Sequence, residues 1–354
     1  MIEFTEAEKK ILNEIQKDLG IVERPFQKLG ETVGLSEEEA IATVKKLKAD
    51  KVIRQISAIF DTRSLGYESS LVAAKVKKEK LQQAADVMNT HPGVSHNYAR
   101  NHAYNLWYTV AVPPNSRLGL AKTVELFHQL SGAEQTRLMP TLKLYKIGVA
   151  FDVAGENKPE SKTGPAPYKE EDRTPDDKLN QKEMDFVREL QEDLPIVASP
   201  FAPIAKKLGL SLKEMVAMGQ NLQKRGKLRR ISAVLHHRRA GFTANAMGVW
   251  VVPESRFDEL GPVMGNYRAV SHCYRRPTYP DWPYTIFTMV HGKSAADCET
   301  VLKTISKDTG IADYLALYSI KEFKKTRVRY FTPETYAWET QYAPLFKEPA
   351  TTRK

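Results

Sequence analysis

The chain has 354 residues, of which 42% are hydrophobic and 27% charged, enough for two domains that each bury a core. No run approaches the ~18 apolar residues of a membrane span, and the acidic opening Met1-Ile2-Glu3-Phe4-Thr5-Glu6 is unlike a secretion leader. Cys273 and Cys298 are the only cysteines, which excludes a disulfide framework and a thiolate zinc site and points to the reducing cytoplasm. The formal net charge is +10, distributed as +3 over residues 1–154, −3 over 155–177 and +10 over 178–354. A polyanionic partner is therefore expected at the second half, or in a cleft that half helps to form.

In chain order, Ile11, Leu12, Ile15 and Leu19, then Phe26, Leu29 and Val33, then Ile41, Val44 and Leu47 fall at helical spacing and predict three helices. Gly34-Leu35-Ser36 with Glu39 supplies a turn and a capping box before the third. Val52 to Phe60 reads as a strand pair, the wing of a winged helix-turn-helix. There follow a strand (69–76), a helix (79–89), strands at 94–100 and 106–112, a helix (118–131) and a final strand (141–152). The order βαββαβ is that of a ferredoxin-like unit. Residues 155–177 hold four prolines, two glycines and almost no apolar side chain, which predicts a flexible linker.

Beyond that linker the pattern begins again. At an offset of 175, residues 21–66 and 196–241 are identical at 16 of 46 positions, and at an offset of 176 the run VSH.Y.R at 94–100 recurs at 270–276. The fold class is thus α+β, a tandem duplication of a winged helix-turn-helix plus a ferredoxin-like βαββαβ domain. The expected boundaries are 1–60 and 61–154 in the first copy, 155–177 for the linker, 178–235 and 236–335 in the second copy, and 336–354 for a C-terminal tail.

This architecture resembles the Lrp/AsnC family of amino-acid-responsive DNA-binding proteins. HPGVSHNYARNHAYNLWYTV (91–110), VLHHRRAGFTANAMGVW (234–250), VSHCYRRPTYPDWPYTIFTMVH (270–291) and EFKKTRVRYF (322–331) resemble the siroheme decarboxylases more closely. The first half is similar to their A-type subunit and the second to their B-type. The resemblance implies a carboxy-lyase that removes two acetate carboxyls from siroheme as CO2, giving didecarboxysiroheme for the alternative heme or the d-type heme route. It also implies that the halves pair as a pseudo-heterodimer, and that the protein needs no cofactor beyond the iron its substrate carries. Further dimerisation is left open. A ligand-responsive regulator of the Lrp/AsnC type and a non-catalytic heme-binding sensor are the alternatives. Against DNA, the expected recognition helix of the first copy opens with Glu37, Glu38 and Glu39, which repel phosphate, so no specific DNA is expected.

Siroheme is an iron isobacteriochlorin with eight carboxylates, so its site needs cations, flat apolar walls and a proton donor for the carbanion-like carbon left by CO2. On a strand of period two, His96, Tyr98 and Arg100 share one face, as do His272, Tyr274 and Arg276. Each trio offers an acid, a hydrogen-bond donor and a carboxylate clamp. Arg275 adds a guanidinium where the first copy has Ala99, and with the charge excess this assigns decarboxylation to the second half. Around the trios, His102, Tyr104 and Asn105, the basic run His236, His237, Arg238 and Arg239, and Tyr279 with Trp282 in a proline-stiffened loop are the expected substrate-binding residues. His102, in a hairpin loop, is the candidate axial ligand to the substrate's iron. Lys321, Lys324, Lys325, Arg327 and Arg329 read as a solvated face. No Gly-rich phosphate loop, H-E-x-x-H pair or G-x-S-x-G elbow is present.

Overall fold

The structure, a computed structural model, describes residues 4–147, 160–162, 177–235 and 244–348. Helix α1 (Glu6–Ile15) is capped by Thr5 with Glu8, α2 (Pro25–Val33) starts on a proline, and α3 (Glu37–Ala49) is capped by Ser36 with Glu39. The capping boxes satisfy the first N–H groups of α1 and α3, and the proline at the start of α2 leaves one such group absent and fixes where that helix begins. Strand β1 (Ile53–Phe60) leads to β2 (Glu68–Lys75), α4 (Leu81–Asn89), β3 (Val94–Arg100), β4 (Leu106–Val112), α5 (Gly119–Ser131), β5 (Gln135–Met139) and β6 (Lys143–Ile147). The second half repeats this with α6 (Gln181–Leu190), α7 (Ala202–Lys207), α8 (Leu212–Lys224), β7 (Leu228–Leu235), β8 (Ala244–Trp250), α9 (Phe257–Gly265), β9 (Val270–Arg275), β10 (Ile286–Gly292), α10 (Ala295–Thr309) and β11 (Tyr314–Lys325). Helix α11 (Pro333–Tyr342) closes the chain.

The expected wing is not a hairpin. Residues 53–60 form one strand, and β1 pairs antiparallel with its equivalent β7, Ser57 facing Ser232 at the centre. A lone strand leaves a row of unpaired backbone groups, and each copy satisfies the other's. The arrangement is symmetric in detail. Leu19 N–H donates to Ile231 O and Leu194 N–H to Ile56 O, while the Asp18 and Asp193 carboxylates accept from Ile231 N–H and Ile56 N–H. Ile11, Phe26 and Leu47 share one core with Phe186, Phe201 and Leu222. A Cβ on Gly219 would stand 1.8 Å from Ile21 Cδ1 and 3.2 Å from the Phe186 ring, so glycine lets α8 approach the first copy here without displacing Ile21.

The remaining strands form, among the described residues, a nine-stranded sheet in the order β5-β2-β4-β3-β11-β8-β10-β9-β6. The final strand expected at 141–152 appears as β6 (Lys143–Ile147), with 148–152 outside the described residues. It is preceded by a strand not expected from sequence, β5 (Gln135–Met139), from which Pro140, lacking the N–H a continuing ladder requires, separates it. β5 pairs with β2 of its own half and β6 with β9 of the other. β11 has no such break: Tyr314 to Tyr318 pair with β8, and Ser319 to Lys325 pair with β3 of the first half. Each half therefore lends its last strand to the other's sheet. Since β5 and β6 sit at opposite ends of the strand order yet adjoin in the chain, the sheet curls back on itself. Its inner face packs Trp107, Met247, Trp282 and Phe287, and its outer faces pack under α4 and α5 on one side and α9 and α10 on the other.

Residues 336–342, expected as part of a tail, belong to α11, whose Trp338 is buried in the core of the first half beside Phe127 and His91. Most of 155–177 lies outside the described residues. Ser161 accepts from Arg268 N–H, and Lys162 pairs with Asp308 at 2.6 Å.

Candidate active site

Both trios stand where the spacing places them. His96 and Tyr98 on β3 are half-buried with ring centroids 6.1 Å apart, and His272 and Tyr274 on β9 are half-buried and stacked at 5.9 Å. Burial holds the His96 imidazole down at about 4, helped by the cations Lys325 and Arg54. Burial also holds His272 at about 4, helped by His96 itself and by Arg276, Lys146 and Arg229. Each histidine is thus neutral at pH 7, and the two lie close enough to repel each other's proton. The pseudo-twofold relation of the halves brings the two imidazoles near each other, and His96 lines a cleft beside the two-stranded sheet.

The cleft opens into a cavity of about 400 Å³ lined by Arg54, Phe60, Ser95, His96, Arg327 and Tyr330, among others. Arg327, read from sequence as part of a solvated face, is half-buried and donates to Ser57 Oγ; burial and the neighbouring Arg54 and Arg230 press its guanidinium below the ordinary range. Lys325 is exposed but faces His96. On the other side of the pseudo-dyad Arg229 pairs with the buried Asp61, and Arg230 is half-buried. Sequence reasoning missed this girdle of cations. Its signal was in the repeat: Ile53-Arg54-Gln55-Ile56-Ser57-Ala58 recurs as Leu228-Arg229-Arg230-Ile231-Ser232-Ala233, with an arginine where a β-strand would favour an apolar or β-branched residue.

Several expected site residues have other work. Arg100 and Arg276 are buried, and each donates across the seam to a carbonyl of the other half, Arg100 Nη1 to Leu317 O on β11 at 2.7 Å and Arg276 Nη1 to Met139 O on β5. Burial lowers both to about 10. They tie the halves together, and their Nε–H groups are buried without a partner among the described residues. Arg275 cannot assist a cleft on the inner face. One residue out of phase with the trio, it points to the helix layer, its guanidinium 5.0 Å from the Phe257 ring. Asn105 spends its amide on the Val76 N–H and C=O.

Tyr104, Tyr279 and Trp282 form the inner core with Trp107. Tyr104 and Arg137 both bind Asp281, and Tyr279 donates to Leu138 O at 2.5 Å. His102 packs edge-on against Trp282 at 5.3 Å, and its Nδ1 accepts from Tyr104 N–H. It lies six residues beyond His96, Arg100 alone being about 13 Å along the strand at ~3.3 Å per residue, so it belongs to this aromatic seam and not to the histidine cleft. His236, His237, Arg238 and Arg239 lie outside the described residues.

A family model described as the AsnC-like ligand binding domain matches residues 64–146 and 239–324, and one described as the siroheme decarboxylase NirDL-like HTH domain matches 8–54 and 184–229. A siroheme decarboxylase of Hydrogenobacter thermophilus is 41% identical over 93% of this chain and 96% of its own. The chain belongs to the siroheme decarboxylase family. The beta subunit of the Methanosarcina barkeri enzyme is 47% identical over 43% of this chain and 99% of its own length, consistent with a fusion of two related subunits. The crystal structure of the siroheme decarboxylase NirDL superposes with a TM-score of 0.76 at 35% identity, covering 96% of this chain and 99% of that one. A second structure of that protein, in complex with an iron-uroporphyrin III analogue, has the same TM-score at 34% identity. Among the described residues no helix is long and apolar enough to cross a membrane.

Proposed function

We propose that this enzyme is a carboxy-lyase acting on siroheme in the cleft between His96 and His272, removing two acetate carboxyls as CO2. The observation that carries the reading is a cavity lined by His96, Arg54 and Arg327, with Lys325 facing His96 and the His272 imidazole of the other half close enough to feel His96's charge. A polycarboxylate supplies the counter-charge that this girdle lacks. The cations serve best on carboxylates that do not react. Held on the departing one, they would stabilise the ground state and slow the loss of CO2.

Loss of CO2 leaves an electron pair on the former acetate carbon, spread into the macrocycle, and a proton must reach that carbon to form the methyl group. His272 is the proton donor within the cleft, and the iron enters with the substrate. A regulator of the same architecture would need a recognition helix that tolerates phosphate, and the first turn of α3 carries Glu37, Glu38 and Glu39. Anaerobic incubation with siroheme followed by mass analysis tests the reading. A product lighter by two CO2 is expected; unchanged siroheme bound to the protein would overturn it.

A further inference from the structure

His272 poses a chemical problem that His96 does not solve for it. A neutral imidazole that donates its Nε2 proton becomes an imidazolate unless another proton arrives at Nδ1 in the same step. The structure offers a source. Ser271 Oγ lies 2.8 Å from His272 Nδ1 and 2.8 Å from His291 Nε2. Its other contact, to Met289 O, is longer at 3.3 Å. Ser271 is buried, whereas His291, two residues along β10 from the partner of His272, is only half-buried.

The first half has no counterpart. There Ser95 Oγ lies 3.1 Å from His96 Nδ1 but its second neighbour is Thr109 Oγ1 at 2.8 Å. The position of His291 is held by Ala111, as matching backbone bonds show: His291 N–H to Ala269 O and Ala111 N–H to Gly93 O.

Resting on the functional reading above, we propose that His291, through Ser271, is the proton relay that recharges His272 during decarboxylation. The C–CO2 bond breaks and its electron pair stays on the substrate carbon. His272 Nε2–H passes to that carbon as the Ser271 hydroxyl proton passes to His272 Nδ1. The Ser271 oxygen takes the Nε2 proton of protonated His291, which is restored from solvent. One proton from water is consumed for each CO2 released, and His272 moves from one neutral tautomer to the other without becoming a buried cation. The groups facing His272 from neighbouring elements, His96, Arg276, Lys146 and Arg229, are those that make a cationic intermediate costly.

The test is single-turnover CO2 release from siroheme by the full-length protein, with siroheme affinity measured optically as the check on folding. Ser271→Ala and His291→Ala should each slow release by ~10-fold or more, within the range of general acid catalysis, at unchanged affinity. The double variant should be no slower than the worse single one, since a relay fails as a unit. Ser271→Thr should retain the rate, and the solvent deuterium isotope effect should change in the Ala variants. Both Ala variants at the parental rate, or effects that multiply in the double variant, would overturn the relay while leaving the functional reading intact. A parental protein that leaves siroheme unaltered would overturn both.

Discussion

His96 and His272 occupy equivalent positions on β3 and β9, each half-buried, each held at about 4 and each in contact with the preceding serine. They differ in what stands behind that serine: a threonine hydroxyl and an alanine in the first half, a second histidine in the other. The surroundings differ too. Arg54 is exposed with no ion-pair partner among the described residues, whereas its counterpart Arg229 is bound to the buried Asp61. Duplication has preserved the geometry of the pair while the adjacent strands divide the labour. Arg54 of the first half joins Lys325 and Arg327 of the second in the girdle, while the Ser271–His291 route proposed above exists in the second half alone. The charge excess of the second half was taken from sequence as the mark of the binding side; that half supplies Lys325 and Arg327 of the girdle, while other parts of the excess are tied up in ion pairs such as Arg225 with Asp177 and Glu183.

The sharpest way to break this division is at the histidines. His272→Ala should lower the rate of CO2 release by ~10²–10⁴-fold with little change in siroheme affinity, while His96→Ala should act mainly on affinity. Single-turnover kinetics with optical binding titrations distinguish the two, and the reverse pattern would exchange the roles. Next in size, Arg54→Ala and Arg327→Ala should each weaken siroheme binding by ~10–100-fold, the loss of a charge-assisted contact of about 1.5–3 kcal/mol. Raised salt should narrow the gap to the parent. Equal affinity in both variants would remove the girdle from the binding site.

A third test concerns acid. Both imidazoles have folded values far below the ordinary 6.5, so below 6.5 the unfolded chain binds protons that the folded one refuses. Stability should therefore be full above pH 6.5 and fall progressively toward pH 4. His91, buried and pressed to about 3 chiefly by burial, adds to the same slope. Thermal melting across this window should steepen in the parent and flatten when His96 and His272 are both replaced by Gln. The smallest effect is expected from cleaving the chain within 163–172. The halves should stay associated and active, because the exchanged strands and the shared helix-turn-helix core hold them. Separation on a sizing column at micromolar concentration would show that the tether supplies effective concentration instead.

Helices and strands were readable because their signals are local: Ser36 with Glu39 and the alternation of 94–100 depend on nothing outside themselves. The pairing partners were not. The run Val52 to Phe60 resembles a hairpin because it is apolar enough to need a neighbour, and nothing in it says that the neighbour is 175 residues away. The trios were legible in direction but not in employment. Period two puts Arg100 and Arg276 on the cleft face, yet their reach to Leu317 O and Met139 O depends on the strand exchange. Trp282 and Tyr279 were noticed for their unusual surroundings, and those surroundings turn out to build the seam between the half-sheets. Arg327 was overlooked because a lysine- and arginine-rich strand end is the ordinary composition of a solvated edge.

The exchange of final strands also sets a schedule for synthesis. β3 acquires its second neighbour only when Ser319 to Lys325 are made, after some nine-tenths of the chain has left the ribosome. Until then the first half presents an open strand edge next to the future site, the kind of surface that recruits stray strands and leads to misassembly. In a two-polypeptide relative that edge would wait for a diffusing partner; in the fused chain the wait is bounded by the time needed to translate the second copy, and the correct strand always arrives with it.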